Sequence, residues 1–217
     1  AIGFSALTSN TSGASNTVVG RSAMSTNTTG ACNVAIGQNA LLQNTEGNTN
    51  VAVGRFALDN NTTADSNTAV GYESLTANTS GANNTAVGFD SLKANTTGCL
   101  NVAVGKSALC TNTTGCTNTA IGRDAMLANT TGDFNVAVGH EALDSNTTAN
   151  ENTAIGAASL AANTTGSQLT AIGKDSLKDN TTGYQNTAVG FQSSCSNTDG
   201  FNNVAMGPYA LRTNTTG

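Results

Sequence analysis

The chain has 217 residues, of which 10% are charged and 4% aromatic; it contains no Trp and one Pro, and its formal net charge is −5. An acidic, sparsely charged chain offers no basic surface for nucleic acid or an anionic membrane. No apolar run approaches the roughly 20 residues that span a bilayer, and no signal peptide is visible. Low charge with few aromatics suits disorder, but a disordered chain has no use for apolar residues at a fixed phase, and this one has them.

The phase is set by thirteen glycines, from Gly3 and Gly20 to Gly190 and Gly207, each 17 residues from the next. Such periods mark stacked repeat architectures. In chain order each repeat opens on Thr or Val, then Ala except for Val18, then Val, Ile or Met before the glycine, as in Thr68–Gly71 and Val102–Gly105. That alternation of large and small predicts a short strand with one packed face. After the glycine come two variable positions, then Ala or Ser, then Leu or Met, broken only by Ser194. This stretch predicts a second extended segment. Asn follows seven residues after the glycine and Thr eight after it, in all thirteen repeats; ten after it stands Gly, replaced only by Ala64 and Ala149. The N-T-T-G stretch predicts a corner. A helical alternative fails, because Asn, Thr and Gly are poor helix formers.

The prediction is therefore an all-β parallel β-solenoid of thirteen 17-residue coils, one array over residues 1–217. The chain opens and stops in mid-repeat, which predicts a segment of a longer array. Coils stacked at 4.7–4.9 Å would make a rod of about 60 Å. Each coil offers about two large apolar side chains, a thin core against the entropy of ordering 17 residues. Two further sources of stability are expected. One is a ladder of mutually hydrogen-bonded amides formed by Asn10, Asn27, Asn44, Asn61, Asn78, Asn95, Asn112, Asn129, Asn146, Asn163, Asn180, Asn197 and Asn214. The other is a second packed surface against sister chains, for which the small Ala before the glycine suits close backbone approach. Many ladder positions also match the glycan acceptor pattern N-x-Ser/Thr. An inward Asn carries no sugar, so glycosylation and the ladder are rival readings.

Chemistry-bearing residues are few. Cys99 and Cys116 lie one period apart, a spacing that fits a disulfide or two free thiols at variable positions. None of the five cysteines has zinc spacing. Glu73 with Asp90, and Asp124 with Glu141, stack two residues after the glycine and read as a solvated charged stripe. The lone histidine, His140, has no Ser or Cys partner at fixed spacing. No catalytic residue, cofactor site or metal site is assigned, and the chain is not expected to be an enzyme. Phe4, Tyr72 and Phe89 directly follow phase glycines and are expected on the outside.

The N-T-A-V-G segment, as at Asn67–Gly71, resembles the strand of the head repeats in YadA-like trimeric autotransporter adhesins. The NTAVG…NTTG pattern is closer still to the arrays of phage and large-virus tail or surface fibres. The resemblance spans the whole chain; it implies a left-handed β-roll, three chains packed as a homotrimer, and a place outside the cell, on a cell surface or on a virion. The autotransporter repeat is shorter, so corner geometry and trimer packing differ. The expected function is a structural shaft whose partner is itself, as homotrimer or filament. The alternatives are a lectin-like adhesin binding a cell-surface glycan or receptor along its side, and an ice-binding solenoid using the Thr column eight residues after the glycine.

Overall fold

The computed structural model describes residues 1–216; among them there is no helix, and every repeat after the first contributes one three-residue strand. The strands are β1 Thr17–Val19, β2 Val34–Ile36, β3 Val51–Val53, β4 Thr68–Val70, β5 Thr85–Val87, β6 Val102–Val104, β7 Thr119–Ile121, β8 Val136–Val138, β9 Thr153–Ile155, β10 Thr170–Ile172, β11 Thr187–Val189 and β12 Val204–Met206. The chain falls into two compact units, Ala1–Ser107 and Ala108–Gly217. In the first, β1 to β6 pair in chain order, all parallel and all offset by 17 residues. In the second, β7 to β12 do the same. Ile2 adds an isolated parallel bridge to Val19. Both units are thus parallel β-solenoids.

The strand packs by its small residue. Ala35, Ala52, Ala86, Ala137 and Ala171 are fully buried, while the β-branched residues on either side point outward and are half-buried or exposed. This corrects two expectations: Val or Ile before the glycine is not the core residue, and the Ala is not available to a neighbouring chain. Across the coil lie the buried Leu or Met four after the glycine and the buried Ala or Ser before it. The coil is thin, and the side chain under the strand is a methyl in every strand except β1, where it is Val18.

The stretch after the phase glycine is not a second strand. It is a run of turns in which the residues two and four after the glycine have positive φ, as at Asp124 (56°) and Met126 (53°). A third such residue, Phe134 (58°), precedes the strand. Left-handed residues alternating with others keep the backbone polar groups aimed along the stacking direction. Leu109 N–H reaches Ala125 O (2.9 Å), and Glu141 N–H reaches Arg123 O (3.1 Å). These bonds between coils satisfy the backbone without a sheet; the same geometry places Leu in a region that bulky L-residues seldom occupy.

The phase glycine is required for a different reason. A Cβ on Gly139 would lie 2.6 Å from the carbonyl oxygen of Gly156 in the next coil, and its φ is +139°. The backbone of one coil rests directly on the Cα of the last.

Candidate functional site

Three features stand out: the buried amide ladders, the outward strand face and the charged and aromatic side positions. Asn27, Asn44, Asn61, Asn78 and Asn95 in the first unit, and Asn112, Asn129, Asn146, Asn163, Asn180 and Asn197 in the second, are fully buried. Asn10 and Asn214 are partly exposed. Within each unit the buried Nδ2 donates to the Oδ1 of the Asn one coil earlier, as Asn44 does to Asn27 (2.8 Å) and Asn129 to Asn112 (2.8 Å). It also donates to the carbonyl three residues on, as Asn129 does to Gly132 (3.1 Å). At the buried ladder positions both amide donors are used inside the fold, so those sequons present no acceptor on the folded surface, whereas Asn10 donates only to Gly13 O (3.0 Å) and Asn214 Nδ2 has no partner among the described residues.

A second ladder was overlooked in the sequence. Asn four residues before the phase glycine is buried from Asn33 to Asn186. Its Oδ1 accepts the backbone N–H of the equivalent residue in the next coil, as Asn50 does from Asn67 (2.9 Å). Its Nδ2 donates to the same carbonyl that the first ladder serves: Gly81 O accepts from Asn67 (2.9 Å) and Asn78 (2.9 Å). A buried carbonyl with two lone pairs has two donors. The signal was present, since only Leu169 breaks this column after Asn16. The Leu169 side chain has no acceptor to offer the amide of Asn186.

The strand face carries Thr or Val and Val, Ile or Met in two outward rows. Val19 is 37% and Ile121 40% exposed, and the intervening strands of each unit continue the row. No charged residue occupies any of the twelve strands. The Thr column eight after the glycine is not an open lattice: its hydroxyls donate to the Thr carbonyl of the next coil, as Thr28 does to Thr45 (3.0 Å).

All the charge lies elsewhere on the coil. Lys93 bridges Glu73 (2.6 Å) and Asp90 (3.4 Å); its hydrogen bond, with a second from Tyr72, holds the Glu73 carboxyl below its usual range. Tyr72 stacks on Phe89 with ring centroids 5.3 Å apart, and Phe56 meets Tyr72 edge-on. Asp124, His140 and Glu141 offer ligand atoms within 4.8 Å of one another. Arg123 already lies among them, hydrogen-bonded to His140 and 3.6 Å from Glu141, and that cation opposes a metal ion in the same place. Asp59 and Asp144, five residues after the glycine, are partly buried, each with one oxygen that accepts no hydrogen bond among the described residues; burial raises both carboxyl pKa values. Burial likewise pushes the Cys195 thiol up. Cys99 and Cys116 occupy the same coil position, eleven after the glycine, in different units. The described residues form no pocket.

The fold and these features define the class as a parallel β-solenoid with internal amide ladders. No protein-family model, curated protein or solved structure matches the chain.

Proposed function

We propose that the chain is a structural shaft of an extracellular or virion fibre, non-catalytic, and that its copies pack against one another through the strand face. The carrying observation is that face: two rows of Thr, Val, Ile or Met, half exposed and free of charge along every strand, on a chain whose 21 Asp, Glu, Lys and Arg all lie off the strands. An uncharged, largely apolar surface of this kind on each unit marks an interaction site, and repetition at the coil spacing makes it self-complementary for parallel copies. The resemblance to fibre repeats favours three copies.

Native mass spectrometry of the chain is the test. A trimer that falls to monomer in the double variant Val138→Glu and Ile155→Glu, with its β-sheet circular dichroism unchanged, is the expected result. A monomeric wild type at high micromolar concentration defeats the proposal.

One observation favours a second reading. Thr153, Thr170 and Thr187 begin three successive strands on this face, beside a row of Ile and Val, and a short array of hydroxyl and methyl groups at the coil spacing is the kind of surface that ice binding uses. Thermal hysteresis by a monomeric chain would select that reading over the shaft.

A further inference from the structure

The sequence is dense in N-x-Ser/Thr acceptors, and the structure divides them sharply. At the ladder positions, Asn27, Asn78, Asn129 and Asn163 among them, the amide is fully buried and its two N–H groups are both donated. Only two acceptors lie off the ladder, Asn60 in Asn60-Asn61-Thr62 and Asn83 in Asn83-Asn84-Thr85. Both are exposed, and neither side chain makes a hydrogen bond to the described residues.

N-glycan transfer uses the same amide nitrogen. Nδ2 attacks the anomeric carbon of a polyprenyl-diphosphate-linked oligosaccharide. The new N–C bond replaces the C–O bond to the diphosphate, which leaves with the electron pair while the amide loses one proton to a base. The product retains one N–H where the ladder uses two, and it carries a sugar where the next coil must stack. A glycan at a ladder position therefore excludes the fold, and the fold excludes the glycan.

We infer that the buried ladder asparagines between Asn27 and Asn180 are glycan acceptors only in the unfolded chain, that the folded chain offers Asn60 and Asn83 and the partly exposed end positions Asn10 and Asn214 instead, and that the chain folds only on a route where no N-x-Ser/Thr oligosaccharyltransferase meets it first. This restricts how a fibre of this kind reaches the exterior: it is folded before export or assembled where such an enzyme is absent.

The residue two after each ladder Asn provides the control. It is exposed at Thr29, Ser80, Thr131 and Thr165, and the sequence itself places Glu46 and Asp199 there, where the acceptor pattern is lost while the ladder continues through Asn44 and Asn197. A variant with Ala at this position in every ladder acceptor keeps both ladders and the Asn60 and Asn83 sites.

The test compares the wild-type chain and that variant, each sent through a eukaryotic secretory pathway, with the wild type made in a cytosol. Glycopeptide mapping, circular dichroism and protease resistance are the readouts. Expected are ladder glycans and loss of the fold for the secreted wild type, and a folded secreted variant with glycans confined to Asn60 and Asn83. Folded cytosolic chain given solubilised oligosaccharyltransferase and its lipid-linked donor should gain mass at Asn60 and Asn83, and outside the end positions Asn10 and Asn214 at no ladder Asn. The inference is overturned by a protease-resistant chain bearing a glycan on Asn129, by a secreted wild type that folds unmodified, by a variant that fails to fold on the secretory route, or by folded chain that stays unmodified at both Asn60 and Asn83.

Discussion

The two sides of each coil are built by opposite rules. On the strand side three residues pair in a regular parallel ladder; the inward residue is Ala except for Val18, and the outward pair is apolar or Thr throughout. On the turn side, from the phase glycine to the N-T-T-G corner, the backbone visits the left-handed region twice per coil, the outward residues vary freely, and most of the charge resides there. Side-chain identity is fixed where one coil rests on the next and loose where only the backbone stacks.

Breaking the contact between coils should have the largest effect. Gly139→Ala drives a methyl into the Gly156 carbonyl and imposes a conformation L-residues avoid, so a loss of about 3 kcal/mol or more is expected in denaturant melts. Asn129→Ala removes two donated bonds and the acceptor for Asn146, with an expected loss of about 2–3 kcal/mol. A loss near zero for either would place the decisive contacts elsewhere.

On the turn side the expected changes are smaller and include gains. Ser194 interrupts the Leu column with a buried hydroxyl that has no partner among the described residues; Ser194→Leu is expected to stabilise by about 1–2 kcal/mol. Asp144 holds its proton more tightly folded than unfolded, chiefly through desolvation and then through Glu141 and Asp124. Its favourable contribution is therefore complete at acid pH below the unfolded pKa and is lost as pH rises through the raised folded pKa. Asp144→Asn should raise the melting temperature at neutral pH and flatten its rise toward acid. The smallest effect concerns the corner residue Ala149. Thr181, Thr182 and Gly183 all donate to Thr198 O, whereas in the Ala149 coil only Thr147 reaches the next coil, at 3.2 Å. Amide exchange at Thr148 and Ala149 should be about tenfold faster than at Thr182 and Gly183, about one hydrogen bond's worth; Ala149→Gly should remove the difference.

The 17-residue spacing by itself determined the parallel stacking, the in-register columns and the Asn ladder, because equal coils piled on one another must place like residues in contact. It could not decide which way the strand faces. Alternation of Thr, Ala and Val reads the same with either side inward, and only the narrow coil, with Leu reaching across from the opposite turn, puts Ala inside and Val outside. The left-handed backbone at Leu and at residues such as Asp124 was equally hidden, since the local preference of those residues opposes it and the hydrogen bonds between coils impose it. The second Asn column was visible as a pattern, but its purpose was not. Only the folded corner shows one buried carbonyl needing two amides, one from each side of the turn.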